Sequence, residues 1–125
     1  MSTGAAAATL PTTSVDDAFE YCARITKAHY ENFPVASLFL PEEKRPYIQA
    51  IYAFSRIADD FADEFIRPPE ERLADLAGWE EQLVQCYQGH AVHPVFIALR
   101  ETVANLAIPI NPLRDLLTAF KRDVV

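Results

Sequence analysis

The sequence predicts an all-α fold. Apolar residues recur at three- and four-residue spacing through most of the chain, which is the period of a helix with one buried face. Proline followed by acidic residues, in Pro41-Glu42-Glu43 and Pro68-Pro69-Glu70-Glu71, marks helix starts, where a fixed φ and the helix dipole favour those residue types. No run of alternating β-branched residues and no hairpin turn signal is present.

The elements follow in order. Residues 1–13 (MSTGAAAATLPTT) read as a disordered, low-complexity tail. They lack a basic n-region, and their apolar stretch is too short for a secretory signal. Ser14 with Asp17 three residues later forms a capping-box-like start, with Asp in place of Glu or Gln. Val15, Phe19, Cys22 and Ile25 follow at helical spacing, so a first helix runs to about Tyr30 and stops before Pro34. Pro41 opens a second helix that continues to about Phe65, and Pro46 predicts an irregular entry. A third helix runs from Pro68-Pro69 to near Gly89, and a fourth from His93-Pro94 to about Ala107. A fifth begins near Pro112 and is still running at Val125. There is no internal repeat.

Composition bounds the function. The chain has 125 residues, a length that suits one domain, with 50% hydrophobic and 23% charged residues, so a packed core is within reach. Eighteen acidic against eleven basic residues give −7, which opposes a nucleic-acid partner. Apolar runs of a few residues exclude a membrane-spanning helix. Cys22 and Cys86 lack metal-ligand spacing and read as small buried hydrophobes in a cytoplasmic protein. Peripheral association with the inner membrane and the oligomeric state stay open.

The chemistry concentrates on the second helix. At about 100° per residue, Tyr47, Ile51, Phe54, Ile57, Ala58, Phe61 and Phe65 occupy one broad apolar sector. Tyr52, Arg56, Asp59 and Asp63 form a narrow stripe opposite it. Asp59 and Asp63 stand one turn apart and repel each other unless a cation lies between them. Mg²⁺ takes few carboxylates, several waters and phosphate oxygens, so this pair suits a metal–diphosphate site with Arg56 adding a charge-assisted fork. The spacing alone also allows a solvated face, with Arg56 paired to Asp59 or Asp60. Elsewhere, Trp79 with Leu73, Leu76 and Leu83 reads as packing, and Phe33, Phe39, Phe54 and Phe61 as core rather than cavity lining. His90 and His93 read as surface residues, and Glu70-Glu71 and Glu80-Glu81 as solvated helix face.

The phrase AIYAFSRIADDFADE, with a leucine-proline-acidic lead-in before it, resembles the squalene/phytoene synthase family of head-to-head prenyl synthases. The segment NLAIPINPLRDLLTAFKRDVV is similar to a later stretch of the same family, so the likeness covers about Ala18 to Val125. The resemblance implies an isoprenoid-synthase-type helical domain around a central cavity, with two acidic motifs facing each other across its mouth. It implies Mg²⁺ on Asp59 and Asp63 with Asp60 assisting, Arg56 and Tyr52 at the diphosphate end, and His29, Asn32 and Asp123 as further substrate-binding positions. Where many members carry a Ser-x-Ser-Phe element, this chain has Tyr30-Glu31-Asn32-Phe33, and ENFPVAS looks like the hydroxysqualene synthase branch of bacterial hopanoid biosynthesis. That branch ionises presqualene diphosphate and captures water to give hydroxysqualene. The alternatives are a presqualene diphosphate or phytoene synthase condensing two prenyl diphosphates such as farnesyl diphosphate, or a non-catalytic helical module.

Asp75, Asp115 and Asp123 are the aspartates beyond Pro68, and none has an acidic partner four residues on. The expectation is therefore that residues 14–125 form the N-terminal portion of such a domain, ending before the second acidic motif and inactive alone.

Overall fold

The computed structural model describes residues 13–29 and 41–124, and every regular element in them is helical. Five α-helices follow one another: α1 (Val15–His29), α2 (Arg45–Asp63), α3 (Pro69–Tyr87), α4 (Pro94–Leu106) and α5 (Asn111–Val124). The starts follow the local chemistry. The Ser14 hydroxyl accepts the Asp17 amide at 3.1 Å, closing the first turn of α1. A 3₁₀ turn, Glu42–Lys44, leads into α2, where Pro46 occupies the opening turn and displaces no intrahelical bond. Gly89 takes φ 91° after α3, and Ala107 takes the left-handed φ 53° that ends α4. The expected positions Tyr30 and Phe33 to Phe39 lie outside the described residues, as does Asn32.

α2 is the central helix. It packs against α1, α3, α4 and α5, with Ala50, Ala53, Phe54, Ala58 and Ala62 buried. Four alanines in that face let the neighbouring backbones approach closely, and the volume is filled from the other side by large residues. Phe54, Trp79 and Phe96 form the centre, with Trp79 and Phe96 ring centroids 4.5 Å apart. Leu76, Leu83, Leu99 and Leu117 are fully buried around them. Cys22 and Cys86 are free and buried, and burial pushes their thiols up to about 12 and about 11, so both are neutral packing groups at pH 7. No described helix is long and apolar enough to cross a membrane.

Three sequence expectations need correction. α2 ends at Asp63 rather than Phe65, because Glu64 leaves helical geometry at ψ 78°. Phe65 consequently leaves the apolar sector and is 84% exposed. Glu80 is not a free solvated side chain: it bridges α3 to α5 through ion pairs with Arg114 (3.0 Å) and Lys121. Those cations, Lys121 first, hold its carboxyl below the usual range.

His93, expected at the surface, is half-buried instead. Its ring makes edge contacts with Tyr21, Trp79 and Phe96, and its Nδ1 accepts the Val95 amide at 3.1 Å as the N-cap of α4. Burial lowers its affinity for a proton. A histidine with a depressed folded pKa contributes stability that is full above pH 6.5 and is lost as pH falls below it. The melting temperature should therefore fall as the pH is lowered from 7.5 to 5.5. In His93→Asn, which keeps a capping oxygen, that part of the pH dependence should vanish.

Candidate functional site

The last three turns of α2 carry the candidate site. Arg56, Asp59 and Asp63 lie on the side of α2 away from its buried alanines, as the helical period requires. Tyr52 shares that stripe and is half-buried. Asp59 is partly shielded and Asp63 exposed. Burial first, and then the charge of Asp63, raise the Asp59 carboxyl above its ordinary range, with the Arg56 charge opposing the rise. A carboxylate pair this close is held at a cost in the ligand-free protein.

Helix polarity adds to that cost. The C-terminal end of a helix carries partial negative charge, yet α2 ends in Asp59, Asp60, Asp63 and Glu64 with no basic residue in its last turn. Arg56 offsets part of it, pairing with Asp60 at 3.1 Å rather than with the Asp59–Asp63 pair. Its Nε is buried and has no hydrogen-bond partner among the described residues. A guanidinium on the same stripe as the carboxylates is a group that can receive an oxyanion through a charge-assisted fork.

Beside the stripe runs an open cleft of about 490 Å³, lined by Ile57, Asp60, Phe61, Asp63 and Glu64. It follows the shoulder of α2 where the apolar sector meets the acidic stripe. Its lining combines two apolar side chains, Ile57 and Phe61, with three carboxylates, so a ligand with an apolar body and a cation-bound anionic head matches both kinds of surface. Among the described residues, no group of three or more His, Cys, Asp or Glu side chains could by itself hold a metal ion. Two aligned carboxylates with a partly exposed guanidinium nearby do fit Mg²⁺ carrying a diphosphate, because that ion takes its remaining oxygens from water and phosphate.

His29 and Asp123 are not among the residues that line the cleft. His29 is the exposed last residue of α1, and Asp123 is exposed in the final turn of α5. Asn32 lies outside the described residues. Glu64, on the cleft wall four residues after Asp60, escaped the sequence reading although its spacing signalled it. Arg72 also escaped it. It begins an apolar repeat with Leu76, Trp79, Leu83 and Cys86, and a charged residue at such a position is the signal.

The sequence profile of the squalene/phytoene synthase family matches residues 26–125. A phytoene synthase from Arthrospira platensis is 32% identical over 108 residues, covering 86% of this chain and 35% of the relative. A hydroxysqualene synthase from Zymomonas mobilis is 41% identical over 96 residues, covering 75% and 31%. The crystal structure of squalene synthase HpnC from Alicyclobacillus acidocaldarius superposes with a TM-score of 0.81 at 42% identity, covering 87% of this chain and 40% of that one. The chain thus spans about a third of the length of the curated relatives it matches.

Proposed function

Because the chain belongs to the squalene/phytoene synthase family and has the helical fold of its solved relative, we propose that it supplies the first acidic element of a prenyl-diphosphate transferase. The observation that carries this reading is the Asp59–Asp63 pair beside a cleft lined by both apolar and acidic side chains. Asp59 and Asp63 would hold Mg²⁺, with Asp60 assisting. The ion, when bound, supplies positive charge against the diphosphate leaving group. Arg56, on the same stripe as Tyr52 and the acidic pair, would bind and orient the diphosphate through a charge-assisted fork. Ile57 and Phe61 seat the first part of the hydrocarbon chain and keep water from it.

The preferred reaction is ionisation of presqualene diphosphate with water capture to hydroxysqualene. The ENFPVAS wording and the 41% identity to a hydroxysqualene synthase support that branch. Phytoene synthases among the relatives keep condensation of two prenyl diphosphates as the second reading. A second set of carboxylates facing the first would come from polypeptide outside this chain, so residues 14–125 bind but do not turn over.

Two measurements test the reading. Calorimetric titration of inorganic diphosphate into the 125-residue chain should show binding with Mg²⁺ and none without it. Joined to the polypeptide that carries the second motif, the chain should convert presqualene diphosphate to hydroxysqualene. A cyclopropyl product formed from farnesyl diphosphate alone would instead assign the condensing branch, and turnover by the 125 residues alone would overturn the half-site reading.

A further inference from the structure

We propose that Arg72 is a positioning residue for the acidic pair: it grips the peptide group that carries Asp63 and so sets where that carboxylate stands relative to Asp59. The proposal rests on the metal–diphosphate reading of the site and deepens it.

Arg72 is charged, yet only 8% exposed. It begins the inward-facing row of α3 and donates from Nη1 to the Ala62 carbonyl at 2.7 Å. In a continuing helix that carbonyl would accept the amide of Ile66, but α2 stops at Asp63 and leaves it unpartnered within the helix. Arg72 supplies the missing donor from outside. The Ala62 carbonyl belongs to the planar peptide unit that ends at the Asp63 Cα, so fixing this oxygen fixes the plane from which the Asp63 side chain departs. The guanidinium carbon also lies 5.9 Å from the Phe65 ring centroid, which holds the first residues beyond α2 against the same group.

The electrostatics separate this role from simple packing. Arg72 places a positive charge at the negative end of α2 while its hydrogen bond goes to backbone, which leaves the Asp59–Asp63 pair for a ligand. Arg67, by contrast, spends its charge on Glu64, Glu71 and Asp75 and ties the α2–α3 turn. The Nε of Arg72 is buried with no partner among the described residues, a cost that a methionine of similar length would not carry. For stability of the apolar row alone, methionine would serve. What it cannot do is hold the Ala62 oxygen.

The test uses Mn²⁺ with inorganic diphosphate as the probe. Electron paramagnetic resonance measures bound Mn²⁺ in the wild-type chain, Arg72→Met and Arg72→Lys, with circular dichroism melts on each. Arg72→Met should bind Mn²⁺–diphosphate about tenfold more weakly while still folded, in line with the effect of losing a group that orients a ligand. Arg72→Lys, which keeps a donor without the planar fork, should recover part of the loss. In an Asp63→Asn background, Arg72→Met should cost no further affinity. Wild-type affinity in a folded Arg72→Met, accompanied by a lower melting temperature, would mean a purely structural arginine and overturn the proposal. If Arg72→Met melts below the assay temperature, Arg72→Lys decides by the same criterion. Absence of Mn²⁺–diphosphate binding in the wild type strikes the functional reading itself, and this proposal with it.

Discussion

Trp79→Ala should lower the stability of the helical unit by about 3–5 kcal/mol, the cost usual for removing a large buried aromatic ring. Trp79 is 3% exposed, and its ring meets Phe54, Phe61, His93 and Phe96. Its Nε1 also donates to the Phe54 carbonyl at 3.3 Å, so truncation leaves both a void and a lost hydrogen bond. A domain of this size commonly has only ~5–15 kcal/mol in total. The melting temperature followed by far-ultraviolet circular dichroism should therefore drop by roughly 10–20 °C. Trp79→Phe keeps most of the ring and loses the donor, so it should cost only ~1–2 kcal/mol. Equal losses in both variants would show that the hydrogen bond, not the ring, holds α3 to α2.

Asp63→Asn should act in opposite directions on binding and on stability. Without a negative charge at 63, Mg²⁺ loses one of its two protein carboxylates, and affinity for Mg²⁺–diphosphate should fall by on the order of 100-fold. Asp59→Asn should do the same to binding. The metal-free protein should meanwhile become more stable. Asp63→Asn removes a like-charge pair one turn apart, worth ~0.2–0.5 kcal/mol, and a negative charge at the C-terminal end of α2, worth ~0.3–1 kcal/mol. Calorimetry and melts on one preparation read both signs. A variant that binds as the wild type does and melts no higher would mean that the carboxylates form an ordinary solvated face.

The sequence made the local features legible because each is written within a few residues. Ser14 with Asp17, the proline-acid starts and the i, i+4 placement of Asp59 and Asp63 need no knowledge of the tertiary fold. What escaped was decided between distant segments. Glu80 looked solvated because its partners, Arg114 and Lys121, come from α5. His93 looked like a surface turn residue until Tyr21 of α1 and Trp79 of α3 closed around it. Phe65 fitted the apolar period, but the helix ended before reaching it. Arg72 escaped notice because its partner, the Ala62 carbonyl, is left open only by where α2 ends. Tyr52, Arg56, Asp59, Asp60 and Asp63 share one helix, so their common stripe can be read from spacing, whereas the place of His29 and Asp123 relative to α2 is not encoded locally.

The chain has one tryptophan, and it is the residue that docks α3 onto the helix bearing the carboxylates. Its indole emission therefore comes from a single site, free of the overlapping signals that blur most proteins. Phe61, which lines the cleft, lies edge-on to that indole at a centroid distance of 5.8 Å. A ligand entering the cleft disturbs the immediate neighbour of the chromophore, so occupancy can be followed as a change in intrinsic fluorescence, with no label attached and no residue replaced.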